Sequence, residues 1–377
     1  MMLTDSDFMK RAIELAGAGE GWTNPNPLVG AVIVKDGVII GEGFHHKYGD
    51  LHAEREALKD CLERGNNPES ADIYVTLEPC CHFGKQPPCC QALLEAGIKR
   101  VFVGSRDPNP LVHGKGNEFL RAHGIEVTED FMRDECDELN PIFFHYITKK
   151  LPYVALKYAM TADGKIATRT GASKWISGEE SRAFVQRLRN RYAAILCGIG
   201  TVLADDPMLN CRLEGGHNPL RIICDSRLRI PVDCRIVKSA REIPVLIAFS
   251  QGQLPEGKEE LAAKEEKISV LKASGVELVQ LPAGGDGGID LPSLITLLGQ
   301  RKIDSLLIEG GGQINFSALK SGLVDHIYAF IAPKFFGGSG AKSPVEGEGV
   351  KDVEEAFNFK LSKISPIGDD ILIEYDK

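Results

Sequence analysis

Apolar and polar positions along this chain switch repeatedly between a period of two and a period near 3.6. Residues 28–34 are apolar and β-branched. Residues 37–43 resume the pattern after Lys35-Asp36-Gly37, a turn signature that predicts a hairpin. Over 52–64 the apolar residues Ala53, Ala57, Leu58, Cys61 and Leu62 recur at helical spacing. A strand is then predicted over 72–76, a helix over 89–96, a strand over 100–103, a helix over 114–123 and strand character at 125–127. This βαβαβ rhythm implies an α/β sheet covered by helices. A polar helix over 131–144 leads into Thr148-Lys149-Lys150-Leu151-Pro152. The domain boundary is placed there, giving domains 1–148 and 149–377.

The second part restarts with a strand over 153–160. Further strands are expected over 194–197, 220–225, 244–249, 276–281, 305–309 and 326–332. A helix over 179–191 is opened by Ser177-Gly178-Glu179-Glu180, which reads as a capping box. A charged helix over 258–272 reads as a solvated surface element.

Length supports this division, since 377 residues exceed one ordinary core. The net charge of −9 weighs against a general nucleic-acid binder. No apolar run reaches membrane-spanning length. The N-terminal stretch is an amphipathic helix without a basic n-region, so a cytoplasmic location is expected. Ten cysteines without a secretion signal point to metal binding or buried thiols.

The chemistry concentrates in His52-Ala53-Glu54 and in Pro79-Cys80 followed by Cys89. One imidazole, two thiols and a free carboxylate form the ligand and base set of a zinc site that hydrolyses an amino group from a nucleobase-like ring. In mid-helix, His52 and Glu54 would diverge by about 200°. At a first turn, with His52 cap-like, both can face one point. Glu54 then reads as a proton shuttle between water and departing ammonia, not as a ligand. Against this stand a pair of ordinary surface residues and a purely structural zinc site. Cys81 and Cys90 adjoin the favoured cysteines, and chemistry alone does not choose within either doublet.

The loop between the cysteines carries His82 and Lys85, both suited to a charged substrate. Asn24-Pro25-Asn26-Pro27 forces an extended entry, where a rigid Asn amide suits a pyrimidine edge or simply makes a turn. His45 and His46 close the hairpin near His52. In the second part, Cys197-Gly198-Ile199-Gly200-Thr201 and Glu309-Gly310-Gly311-Gly312-Gln313 are glycine turns after strands. They let backbone N–H groups approach a phosphate at a helix N-terminus, or serve as plain tight turns.

These residues sit within NPNPLVGAVIVKDG, GEGFHHKYG, VTLEPCCHFGKQPPCC, RDPNPLVHGKG, LPYVALKYAMTADGKIA, GIGTVLADDPMLNCR and IEGGGQINFSAL. Together they resemble the bifunctional deaminase–reductase family of riboflavin biosynthesis, over nearly the whole chain. That resemblance implies an N-terminal cytidine-deaminase-like α/β/α sandwich and a C-terminal dihydrofolate-reductase-like α/β domain. It implies zinc on His52, Cys80 and Cys89, proton transfer by Glu54, and pyrimidine or ribosyl-phosphate contacts at Asn26, His45, His82 and Lys85. Cys81 departs from the serine usual there.

For the second domain the resemblance implies NADPH against Ala159, Trp175, Thr201, Asp205, Ser226, Gly311, Gly312, Gln313, Ile314, Asn315, Phe316 and Ser317. It implies substrate contacts at Lys157, Ser173, Arg189, Leu209, Arg212 and Glu309. Arg189 and Arg212 make physical sense as a phosphate clamp, and Lys157 as a hydrogen-bond donor to the ribose. Trp175 fits either the nicotinamide end or the core. Preference for NADPH over NADH points to Ser226 and Arg227. The implied activity is deamination of a diaminopyrimidine ribosyl phosphate, then hydride transfer that turns the ribosyl chain into ribityl, by a homodimer that binds neither nucleic acid nor membrane. The competing expectation is a monofunctional deaminase with a degenerate C-terminal packing domain. A nucleic-acid-editing deaminase is disfavoured by charge.

Overall fold

Side chains that alternate along the strands cover both faces of two separate sheets, one in each part of the chain. The computed structural model describes residues 3–82, 87–109, 112–250 and 258–377, and it divides into the units Met1–Lys150 and Leu151–Lys377. The first unit runs α1 (Asp5–Gly17), β1 (Gly30–Lys35), β2 (Val38–Phe44), α2 (Ala53–Glu63), β3 (Asp72–Leu77), α3 (Cys89–Glu95), β4 (Arg100–Ser105), α4 (Lys115–Ala122), β5 (Glu126–Thr128), α5 (Arg133–Asp137) and α6 (Pro141–Lys149). The strand order is β2-β1-β3-β4-β5, antiparallel at β2/β1 and β1/β3, then parallel.

Alternation along β1 builds two cores. Ala31 and Ile33 pack with Ala57 and Cys61 of α2, Leu93 of α3 and Leu120 of α4. Val32 and Val34 pack with Phe8, Met9 and Ala12 of α1 and with Cys136 of α5. The sheet is therefore sandwiched between helices. Two glycines of β2 bring α2 close. A Cβ at Gly43 would meet the Ala57 nitrogen at 2.3 Å, so only glycine admits the helix at this depth. Because β1 runs against β3 and β4, its start lies beside their ends. The segments before β1 and after β2, β3 and β4 therefore gather at one edge.

The polar helix expected over 131–144 is not formed; two helices, α5 and α6, flank a break. Pro141 takes the first helical position of α6, where its missing N–H is harmless. Asn140 instead bonds Leu28 twice: the Leu28 N–H donates to Oδ1 at 2.8 Å and Nδ2 donates to the Leu28 carbonyl at 2.8 Å. Ile142, Phe143 and Tyr146 are buried, so α6 is an apolar helix.

The second unit runs β6 (Tyr153–Thr161), α7 (Glu179–Arg191), β7 (Ala194–Gly198), α8 (Ile199–Asp205), β8 (Leu220–Cys224), α9 (Arg235–Lys238), β9 (Val245–Ser250), α10 (Lys258–Ala273), β10 (Glu277–Leu281), α11 (Leu291–Gln300), β11 (Ser305–Ile308), α12 (Gly312–Lys320), β12 (His326–Ala332), β13 (Lys360–Ile367) and β14 (Asp370–Asp376). The sheet order is β10-β9-β8-β7-β11-β6-β12-β14-β13. It is parallel from β10 to β12, and the β13–β14 hairpin adds antiparallel strands at one edge. Ala194 and Leu196 of β7 face α11 and α12, while Ile195 and Cys197 face α8 and α9. The capping box expected at α7 is absent. Gly178 is the cap residue, and its N–H donates to Asp370 Oδ2 at 2.7 Å, as the Ser181 hydroxyl does at 2.6 Å. A carboxylate at the start of β14 thus holds the first turn of α7 through the Gly178 N–H and the Ser181 hydroxyl. Among the described residues, no helix is long and apolar enough to cross a membrane.

Candidate functional site

His52 is the cap residue of α2, with extended backbone at φ −77° and ψ 161°. Leaving the helix there lets its ring turn toward the residues after β3, while Glu54, in the first turn, faces the same space. The His52 Nδ1 lies 3.5 Å from Cys80 Sγ and 3.4 Å from Cys89 Sγ. The ligand atoms of all three residues fall within 4.8 Å of one another. The Cys89 backbone N–H, at the start of α3, points at Cys80 Sγ at 3.4 Å. Hydrogen bonding from the Cys89 thiol, and then His52, holds Cys80 well below the ordinary thiol range. Hydrogen bonding to Cys80 raises His52. One nitrogen and two sulfurs so disposed suit a zinc ion with a position left for water. Among the described residues, no other His, Cys, Asp or Glu group meets that description.

The doublets are separated by geometry. The Cys90 thiol turns into the core and donates to the Pro79 carbonyl at 3.3 Å. Cys81 stays outside the cluster, packed against the α2 core. Glu54 is 3 % exposed, and burial, then the charge on Cys80, pushes its carboxyl above the usual range.

A cavity of about 320 Å³ opens on Glu54, with Asn26, His45 and His82 on its walls. His45 donates from Nδ1 to the Leu51 carbonyl at 2.9 Å, so its Nε2 accepts from Asn26 Nδ2 at 3.1 Å. Burial lowers the His45 pKa, which keeps the ring neutral. The Asn26 amide is therefore fixed, with its Oδ1 left for a ligand. Lys85 lies outside the described residues.

Several lining residues had no assigned role in the sequence. Phe143 and Tyr146 form an apolar wall; their spacing of three on one helix face was the available signal. Asp107 is 6 % exposed, and burial, partly offset by the Asn109 backbone N–H, pushes it up to about 6. Glu78 accepts from the Gly114 and Gly116 backbone N–H groups at 3.0 and 3.1 Å, tying the end of β3 to the start of α4.

In the second unit, a cavity of about 510 Å³ lies across the ends of parallel strands. Ala159, Thr201, Asp205, Ser226, Gly311, Gly312, Gln313, Ile314, Asn315 and Ser317 line it, as do Lys157, Ser173 and Glu309. Gly310 and Gly311 have φ of +130° and +86°, conformations that favour glycine. They leave open backbone where β11 passes into α12. The volume and the glycine turns fit a dinucleotide.

Five expected contacts stand elsewhere. Phe316 is buried beside Phe357 at 5.9 Å, because helical periodicity turns it away from Gly312 and Gln313. Trp175 is 62 % exposed, with the Arg182 guanidinium 4.8 Å from its ring, so it stands outside the core and is not on the cavity wall. Leu209 is buried in the α8–α9 core. Arg212 is exposed outside the cavity. Arg189 donates through Nε and Nη2 to Glu309, each at 2.7 Å, and through Nη1 to the Asn210 carbonyl. Its fork is thus engaged by Glu309 and Asn210, and the charge of Arg212 also acts on Glu309. Burial pushes Glu309 up, but Arg189 and Lys157 more than offset it, and its carboxyl sits below the ordinary value. Burial lowers Lys157, against the pull of Glu309.

The profile of the RibD C-terminal domain matches residues 152–373. That of the cytidine and deoxycytidylate deaminase zinc-binding region matches residues 2–105. The chain is 52% identical to the riboflavin biosynthesis protein RibD of Actinobacillus pleuropneumoniae, covering 99% of this chain and 95% of that one. It is 36% identical to the protein of that name from Escherichia coli, covering 98% and 99%. Among solved structures it resembles a diaminohydroxyphosphoribosylaminopyrimidine deaminase/5-amino-6-(5-phosphoribosylamino)uracil reductase from Thermotoga maritima. The TM-score is 0.84 at 40% identity, covering 98% of this chain and 97% of the other.

Proposed function

The chain belongs to the RibD family of riboflavin-biosynthesis proteins, and on that premise we propose that its two cavities carry out successive reactions on one pyrimidine ribosyl phosphate. The enzyme is bifunctional, a deaminase in its first half and a reductase in its second. The substrate we assign is 2,5-diamino-6-(5-phosphoribosylamino)pyrimidin-4-one. The observation that carries the deaminase assignment is the meeting of His52, Cys80 and Cys89 within 4.8 Å of one another, with His52, Cys80 and buried Glu54 on the wall of one cavity.

His52, Cys80 and Cys89 would hold zinc. When bound, zinc supplies the Lewis acidity that makes a water nucleophilic at neutral pH. Glu54 would take a proton from the attacking water and pass it to the departing amino group, and its place on the cavity wall beside His52 and Cys80 suits both halves of the transfer. Asn26, braced by His45, accepts from the pyrimidine edge, and Phe143 and Tyr146 exclude water.

NADPH, when bound, supplies the hydride for the ribose carbon. The backbone at Gly310, Gly311 and the starts of α8 and α12 would hold its diphosphate. Lys157 hydrogen-bonds the ribosyl oxygen, and Glu309, kept ionised by Arg189, orients Lys157. Arg212 remains the exposed cation for the sugar phosphate. We propose further that the protein acts as a cytoplasmic homodimer. The reductase cavity retains its glycine turns and its Lys157–Glu309–Arg189 cluster, which argues against a degenerate second domain.

The test supplies the diaminopyrimidine ribosyl phosphate and follows ammonia release and NADPH oxidation separately. Both should proceed. Ammonia release without NADPH oxidation would leave a deaminase alone.

A further inference from the structure

Resting on NADPH as the reductase cofactor, we infer that Arg229, beside Ser226, reads the 2′-phosphate that distinguishes NADPH from NADH. The strands beneath the cavity fix which end of a dinucleotide lies where. Lys157 and Ala159 sit on β6, Glu309 follows β11, Gly198 ends β7, and Ser226 follows β8. These strands are consecutive neighbours in the sheet, in the order β8-β7-β11-β6. Three steps of roughly 4.8 Å span about 14 Å, the reach of an extended dinucleotide. The nicotinamide must meet the ribosyl carbon near Lys157 and Glu309. The diphosphate then falls on the glycine turns after β11 and β7, and the adenosine ribose falls at the end of β8.

The loop after β8 is built to present one side chain there. Asp225, fully buried, accepts from the Ile230 N–H at 2.8 Å, and the Leu228 N–H donates to the Asp225 carbonyl at 3.0 Å. Leu228 has φ +52°, a left-handed conformation that branched apolar residues rarely adopt. Leu228 and Ile230 are locked in the core. The residue between them, Arg229, is thereby held outward and lines the cavity, whereas Arg227 does not. Arg229 has no hydrogen-bond or ion-pair partner among the described residues. Two other cations line the cavity, Lys157 and Lys342, and both belong to its β6 side: the Lys342 carbonyl accepts from Ile166, which follows β6. Asp286, an acid on the cavity wall, is engaged by Ser317 at 2.5 Å and by the Gly288 N–H at 2.9 Å. A planar guanidinium beside a hydroxyl suits a phosphate monoester.

The experiment titrates the full-length protein with NADPH and with NADH, without pyrimidine, by calorimetry, and adds 2′,5′-ADP and 5′-AMP as fragments. Arg229→Gln should raise the Kd for NADPH and for 2′,5′-ADP roughly 10- to 100-fold, as expected for a lost contact to a charged group. The Kd values for NADH and 5′-AMP should stay within about twofold by the same argument. Arg229→Lys should recover part of the loss, and Arg227→Gln should change neither nucleotide. Equal weakening of NADPH and NADH, with thermal unfolding unchanged, would overturn the assignment, as would loss of NADPH selectivity in Arg227→Gln instead. Wild-type protein that binds neither nucleotide would overturn the cofactor reading itself and the assignment with it.

Discussion

Arg189 grips Glu309 at two points, Nε to Oε1 and Nη2 to Oε2, each at 2.7 Å. The pair joins α7 to the end of β11, and the two side chains are 13% and 6% exposed. Such a pair stabilises little relative to well-packed apolar residues, but losing one partner strands a buried charge. Its purpose is therefore better sought in chemistry, since it holds an ionised carboxylate next to Lys157.

Arg189→Met should lower stability by about 3–5 kcal/mol, measured by urea unfolding of the full chain. The double variant Arg189→Met/Glu309→Leu should recover most of that loss while NADPH oxidation stays absent. A double variant as unstable as the single one would show that the carboxylate is not stranded.

Glu54→Gln should keep its zinc and lose ammonia release by about 10²- to 10⁴-fold, the usual contribution of a positioned acid–base group. Metal analysis and an ammonia assay on the same preparation check this. Retained turnover would remove Glu54 from the proton path.

Zinc content should separate the cysteine doublets. Cys80→Ser and Cys89→Ser should purify with little metal, whereas Cys81→Ala and Cys90→Ala should retain it, because Cys81 lies outside the His52 cluster and the Cys90 thiol is turned to the Pro79 carbonyl. Metal loss from Cys81→Ala would contradict the geometry.

Asp107 makes stability depend on pH. Its folded pKa, about 6, lies above the ordinary 3.8. The folded state therefore holds the proton more tightly, so stability falls as pH rises from about 4 to about 6 and is level above. The shift corresponds to about 3 kcal/mol. Urea unfolding at steps from pH 4 to pH 7 should show a loss in wild type that Asp107→Asn reduces by about 3 kcal/mol. A difference between the two proteins that is constant with pH would refute it.

The deaminase site was legible in the sequence because its signals are local. His52 and Glu54 are two residues apart, and the phase of Ala53, Ala57 and Cys61 marks where α2 begins. Cys80 and Cys89 needed ligand chemistry and resemblance together, since chemistry alone did not choose within either doublet; their positions in space separate them from Cys81 and Cys90. The α6 wall was missed because Pro141 was read as part of one polar helix, although it marks a helix start. The partner of Arg189 could not be read locally, since Glu309 is 120 positions away. Neither could the Asp370 partner of Gly178, which is 192 positions away. The β13–β14 hairpin escaped notice because β13 is exposed along most of its length and lacks a buried alternation. Among the glycine-turn residues, Phe316 was carried along by its neighbours, but helix phase sends it to the core.

Under the proposed function the two cavities act in series on one molecule, deamination preceding reduction. This order is tested most directly by giving Glu54→Gln protein, with NADPH, either the diaminopyrimidine ribosyl phosphate or its deaminated product. NADPH oxidation should proceed at the wild-type rate with the deaminated compound and be absent with the diamino compound. Oxidation of NADPH with the diamino compound, in a protein that releases no ammonia, would contradict it.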